Sequence, residues 1–271
     1  MKRARDLAAI GLRRLEANIF AGTGVTRRQL RRRRGVAVLM YHRVVADDDP
    51  ATGVHPGMFV RASTFRRQLE WLVGRFPMHT LGELIRRRGP SIGAAVTFDD
   101  GWRDNLMIAW PIMERLGVRA TVFLVRDWVE RGETREGEFL RAGEVAALSA
   151  EGMEFGAHTV THPHLDQLPR EEVHREMQVS REAIEAWTGR ECRLFAYPFG
   201  HHNEATVEIA REMFSASVMV GGGWWTEDAD LARIPRVAIH EDMTSTVPMF
   251  ARRLAVASLV ARGPVGTGSG P

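Results

Sequence analysis

Residues 94–102 read Ala94-Ala95-Val96-Thr97-Phe98-Asp99-Asp100-Gly101-Trp102, an apolar run that ends abruptly in two carboxylates and a glycine. The run is short, uninterrupted and flanked by turn chemistry, which predicts a buried strand over 94–98. Gly101 permits a tight turn directly after it. Adjacent carboxylates raise one another's pKa unless a cation neutralises one of them. A divalent metal does this best, leaving one Asp as ligand and the other free as a base. Taken alone, the same segment also fits a turn with a cap, so its surroundings must choose between the two readings.

Outward from this stretch, short apolar runs alternate with helix-period segments. Strands are predicted at 35–41 (GVAVLMY), 119–125, 153–157, 193–197, 215–220 and 234–240. Ser63 reads as the cap of a helix whose Phe65, Leu69, Leu72 and Phe76 share one face. Further helices are predicted at 104–116, kinked by Pro111, and at 142–151, 169–187, 203–213 and 245–261. The acidic stretch 46–57 reads as a loop. Strand–helix alternation of this kind implies a parallel sheet covered by helices. No internal repeat is present, which excludes a solenoid. In an α/β barrel the chemistry sits at the carboxyl ends of the strands, and the polar clusters of this chain fall there.

The 271 residues suffice for one large domain with a sizeable core. With 44% hydrophobic and 26% charged residues, wholesale disorder, collagen and coiled coil are excluded. The one cysteine, Cys192, excludes an internal disulfide framework and a cysteine-based zinc cluster. No apolar run is long enough to span a membrane as a helix. Net charge is +3, and Lys2 is the only lysine, so the basic character is arginine. Without interleaved stacking aromatics or a known module, nucleic acid is not an expected partner.

Three parts are expected: a basic amphipathic segment at 1–34, a catalytic domain at 35–262 and a disordered tail at 263–271. In the first, Ala8, Leu12, Leu15 and Ile19 form an apolar stripe among arginines. Two readings stand for it: a helix lying on an anionic membrane surface, or one docked on the domain with a solvated basic face. Arginines interrupt it throughout, so no signal peptide is recognised. The expected location is cytoplasmic, with peripheral contact at the inner membrane face.

A second polar cluster is His158-Thr159-Val160-Thr161-His162-Pro163-His164-Leu165. Pro163 disfavours helix at His162, which places both His158 and His162 on a loop leaving the strand 153–157. Two imidazoles and one carboxylate make a set that suits zinc, cobalt, nickel or iron with positions left open. The third cluster is Phe195-Ala196-Tyr197-Pro198-Phe199-Gly200, a strand running into a Pro/Gly turn.

In this order and spacing TFDDGW, HTVTHPHL and YPFG resemble the first three motifs of the polysaccharide deacetylases, the NodB-homology or family 4 carbohydrate esterases. The resemblance covers residues 36–242. MYHRV and FRRQLEWL, at 65–72, are similar to a branch that includes exopolysaccharide deacetylases acting on poly-N-acetylglucosamine. The resemblance implies an α/β fold, a distorted (β/α) barrel with fewer than eight full units. It implies Asp99 as catalytic base, with Asp100, His158 and His162 as ligands of a divalent metal, zinc first and cobalt or nickel as alternatives. The turn Tyr197, Pro198, Phe199 and Gly200 would wall the sugar site, and a backbone amide near Phe199 would help hold the oxyanion. The implied reaction is hydrolysis of the N-acetyl group of an N-acetylated hexosamine, in an N-acetylglucosamine-containing glycan or a lipid-linked sugar.

Three departures from the family pattern stand out. Many members carry an arginine at the position of Ala196; here Arg236 is the candidate partner of the base. Ile239-His240 is similar to the pair that supplies the acid, and His42, at the end of the first strand, is the other candidate. Gly221-Gly222-Gly223-Trp224-Trp225 replaces the usual fourth motif. It reads either as a mobile flap presenting Trp224 and Trp225 as sugar platforms or as a buried Trp pair after a turn.

Overall fold

The computed structural model describes residues 35–51, 54–87, 92–134 and 137–260, together with residues 11, 16–19, 28 and 30. Seven parallel strands close into a barrel: β1 (Val36–Tyr41), β2 (Gly93–Phe98), β3 (Ala120–Leu124), β4 (Glu154–Ala157), β5 (Leu194–Ala196), β6 (Ala216–Gly222) and β7 (Ile234–Ala238). Each pairs with the next in sequence, and β1 closes the ring by pairing with both β2 and β7. The β1–β2 register runs unbroken from Val36 opposite Gly93 to Tyr41 opposite Phe98. That register sets Asp99 and His42, the next residues of each strand, side by side at the same rim.

The two-residue period of the strands divides the core. Val36, Val38, Ala95, Phe123, Leu194, Ala196, Ala216, Val218 and Ile234 form one cluster, the barrel interior. Ala37, Leu39, Tyr41, Val96, Phe98, Val122, Leu124, Phe195 and Val237 form the other, packed under the helices. Thr97, Asp99 and Arg236 carry the inward parity, so polar groups cap an otherwise apolar interior at its carboxyl end.

Nine helices are described: α1 (Ala62–Val73), α2 (Leu81–Arg86), α3 (Trp110–Arg115), α4 (Arg126–Arg131), α5 (Ala142–Ala150), α6 (Arg170–Thr188), α7 (Glu204–Met213), α8 (Glu241–Thr244) and α9 (Val247–Val260). Three local expectations are corrected. Helix α1 starts one residue before Ser63, after Arg61, with no side-chain cap. The predicted 104–116 helix carries a π-turn at Asn105–Ala109, and Pro111 lies in the first turn of α3. The widened turn accommodates the N–H that proline lacks. Short elements went unpredicted, including α2, whose Thr80 and Glu83 form a reciprocal capping box.

The largest correction concerns Trp224 and Trp225. Strand β6 bulges where Gly221 and Gly222 both oppose Arg236, and Gly221 has φ +82°. The chain then folds back, and Trp225 exchanges backbone hydrogen bonds of 2.8 and 2.9 Å with Val36, at the start of β1. Trp225 thereby joins the interior cluster, far from the rim. Trp224 packs on Phe76 and donates its indole N–H to the Leu254 carbonyl of α9 at 3.0 Å. With 2% and 1% exposure, neither ring is a sugar platform. The glycines serve a bulge and a reversal rather than a flap.

Of the N-terminal segment, Glu16 pairs with Arg252 of α9 at 3.2 Å, and Ala17 and Leu30 are buried. These contacts agree with docking on the domain, while Ile19 is exposed. Ala8, Leu12 and Leu15, most of the basic residues and the 263–271 tail lie outside the described residues. No helix among those described is long and apolar enough to cross a membrane.

Truncating Trp225 to Ala removes the interior plug beside Val36. The expected loss is about 3–5 kcal/mol of stability, read as a lower urea midpoint with the slope unchanged.

Candidate active site at the carboxyl rim of the barrel

Asp99 leaves β2 with inward parity and meets Arg236 of β7. The guanidinium grips the carboxylate with both ends, Nη1 to Oδ1 at 2.6 Å and Nη2 to Oδ2 at 2.7 Å. Arg236 is fully buried. It also donates to Thr97 Oγ1 at 3.1 Å and to the Met219 carbonyl at 3.3 Å, and its charge lies over the Phe123 ring. Burial pushes the Asp99 carboxyl up, but the charge and hydrogen bonds of Arg236 outweigh it and hold the group at about 2. The arginine reaches Asp99 from the last strand, β7, and not from the position of Ala196 on β5.

Asp100 turns away from its neighbour because its φ is +75°. Trp102 donates its indole N–H to Asp100 Oδ2 at 3.0 Å. The other oxygen, Oδ1, lies 3.6 Å from Nε2 of His158 and 3.6 Å from Nε2 of His162. Those separations are too long for good hydrogen bonds. They match donors bound to one tetrahedral ion at ~2.1 Å, which sit roughly 3.4 Å apart. The Ala196 carbonyl receives His158 Nδ1 at 2.7 Å, which puts the proton there and leaves Nε2 with its lone pair. Burial, then the adjacent His158, pushes His162 down to about 3, so its ring is neutral as a ligand must be. The residues fit a divalent cation.

Gly101 is required where it stands. Its φ is +78°, and a Cβ there would meet Leu124 Cδ2 at 2.6 Å.

The histidine loop is held from below by a residue that sequence reasoning missed. Glu176, buried on α6, accepts the Val160 and Thr161 amides at 2.8 and 3.0 Å, and the Thr161 hydroxyl at 3.0 Å. The signal was available: Glu176 occupies a position of the buried stripe Val173, Glu176, Met177, Ser180 and Ile184. A carboxylate there needs partners. Thr159 ties the loop further, donating to the His158 carbonyl and accepting the His162 amide at 3.0 Å.

Of the two acid candidates, His42 lies within the field of Asp99, and His240 lies close enough to act on His42. His240 Nδ1 lies 2.7 Å from Asp242 Oδ1, which orients the ring and leaves Nε2 for proton transfer. His42 is pushed down by burial, against the pull of Asp99 and with the push of Arg236 and His240. Within the YPFG turn, Phe199 is 50% exposed with φ +58° and packs edge-on against His162 at 4.5 Å. Gly200, φ +74°, lies so close to Val220 that a Cβ would sit 2.7 Å from it. Pro198 is buried, and the Tyr197 side chain points outward, donating its hydroxyl to the Ala232 carbonyl at 2.9 Å. Phe199 and the turn backbone therefore face the site, whereas the Tyr197 ring supports the turn from the core side.

A closed parallel barrel thus gathers, at one rim, an arginine-paired carboxylate and a second carboxylate beside two imidazoles. The sequence profile of the polysaccharide deacetylase family matches residues 86–215 of this chain. YxkH of Bacillus subtilis (strain 168), which bears that family's name, is 22% identical over 77% of this chain and 73% of its own length. BC0361, a polysaccharide deacetylase from Bacillus cereus, is 25% identical with a TM-score of 0.69, over 83% of this chain and 69% of its own. The Streptococcus pyogenes deacetylase PplD, solved in complex with acetate, shares the fold at a TM-score of 0.72. It is 24% identical over 82% of this chain and 98% of its own. Arg236, His240 and Asp242 lie beyond the matched segment.

Two outcomes follow from this geometry. The pair with Arg236 lowers the Asp99 carboxyl from 3.8 to about 2, so it contributes about 2 kcal/mol that is present above pH 4 and lost as pH falls through 2. Arg236→Met reverses the sign, because burial then raises the carboxyl. Urea unfolding between pH 2 and 7 is expected to show the variant losing stability as pH rises. Glu176→Ala is expected to weaken metal affinity about 10–100-fold without removing a ligand, read by competition with a chromogenic chelator.

Proposed function

We propose that the chain is a metal-dependent N-deacetylase of N-acetylated hexosamine in a polysaccharide or glycan intermediate, releasing acetate and leaving a free amine. The observation that carries this reading is the juxtaposition of an arginine-paired carboxylate, Asp99, with the Asp100, His158 and His162 set. Those residues would hold the cation, zinc first, with cobalt or nickel as alternatives. When bound, it supplies Lewis acidity, polarising the amide carbonyl and lowering the pKa of water.

Asp99 takes the proton of the attacking water. Held near 2, it stays ionised across the working range and passes the proton on readily. Arg236 fills one lone pair on each of its oxygens, which leaves one on each for that proton. The backbone amide near Phe199 donates to the developing oxyanion. His240, oriented by Asp242, protonates the departing amine. His42 is the alternative acid. Phe199 offers its exposed face to the sugar. The likeness of MYHRV and FRRQLEWL to the exopolysaccharide branch favours N-acetylglucosamine-containing substrates, including lipid-linked ones. A basic N-terminal segment favours contact with an anionic membrane surface.

Acetate release is the test, measured on N-acetylglucosamine oligomers, lipid-linked sugars and small N-acetyl amides. Asp99→Asn is expected to lose about 10²–10⁴-fold in rate with its metal content unchanged, and His240→Asn to lose more than His42→Asn. Chelation should abolish release, and added zinc restore it. Hydrolysis of the small amides alone would replace this reading with a small-molecule amidase, and no release with metal bound would leave an inactive glycan-binding member.

A further inference from the structure

The rim carries a second group of donors that the proposed reaction does not use. His164 stacks on Phe199, with ring centroids 4.2 Å apart and planes 11° from parallel. His201, just past the YPFG turn, brings its Nδ1 to 3.1 Å from Nδ1 of His164. Asp166, in the short helical turn Leu165–Gln167, adds a carboxylate. One donor atom from each of the three lies within 4.8 Å of the others. The two segments are tied beside it, where Asn203 Nδ2 donates to the Asp166 carbonyl at 3.3 Å.

We propose that His164, Asp166 and His201 form a second site, for a borderline divalent cation of the zinc, nickel or cobalt class. Two imidazoles and a carboxylate match that class. Asp166 and His201 are exposed and His164 half-buried, so water completes the coordination. Affinity is lower than at the buried set, where both histidine rings and the carboxylate are fixed by packing. The ion bridges the loop that carries His162 to the turn that carries Phe199. Its occupancy therefore stiffens the wall of the sugar site without touching the reacting atoms.

The experiment is a metal count on the full chain, by equilibrium dialysis against zinc chloride and elemental analysis, which does not depend on acetate release. Wild type is expected to hold about two zinc ions per chain, and His164→Gln/His201→Gln about one. Asp100→Asn/His158→Gln should keep the weaker one. Filling the second equivalent should slow hydrogen exchange at 199–203 in wild type and leave the double histidine variant unchanged. A wild type that saturates at one ion overturns the proposal. So does a second ion that survives His164→Gln/His201→Gln, since it would then belong to other surface imidazoles. A lost second ion with no change in exchange at 199–203 refutes the bridge.

Discussion

The bidentate pair between Asp99 and Arg236 is the constraint on which the rim depends. Both groups lie inside a barrel otherwise filled mainly by apolar side chains, Phe123 and Trp225 among them. An isolated ion there is costly, and removing one partner leaves the other uncompensated. The pair therefore links β2 to β7, strands that are not neighbours in the ring, across the carboxyl end of the interior. Thr97 and the Met219 carbonyl take further guanidinium donors, fixing the plane of the fork. A carboxylate held this way has one orientation.

Backbone strain gathers at the same place. Among the described residues, the non-glycine positions with positive φ are Ala51, Asp100, Thr159, His162 and Phe199. All except Ala51 belong to the rim. Such conformations cost of order 1–3 kcal/mol each, and here the restraints that hold them are visible. Trp102 holds Asp100, Glu176 and Thr159 hold the histidine loop, and the Val220 contact at Gly200 confines the Phe199 turn. The α6 helix thus gives up an apolar position to fix a loop, a stability loss exchanged for ligand geometry.

The sequence made the barrel legible because its strands are short apolar runs separated by helix-period segments, and because every polar cluster follows a strand. It also showed Asp99, Asp100, His158 and His162, whose residue types have few structural explanations in that pattern. What it hid depended on register. Whether Arg236 meets Asp99 is decided by strands far apart in the chain, and Arg236 could equally have been a surface ion. The tryptophans misled for a related reason. Glycines before two aromatics fit a flap as well as a bulge, and only the pairing of Trp225 with Val36 distinguishes them. Tyr197 lies in a motif yet faces outward because the two-residue period puts it on the helix side of β5.

Holding Asp99 from β7 rather than from the position of Ala196 on β5 shapes the interior around the pair. An arginine at 196 would occupy the interior surface that Ala196 now shares with Val218 and Leu194, leaving less room for Phe123. Delivered from β7, the guanidinium enters beside the β6 bulge, where Gly221 and Gly222 both face Arg236 and the Met219 carbonyl is exposed to it. The bulge that sends the tryptophans to the bottom of the barrel is thus the same irregularity that opens a berth for the arginine. The tryptophan turn and the berth of Arg236 are, on this geometry, two consequences of one backbone feature.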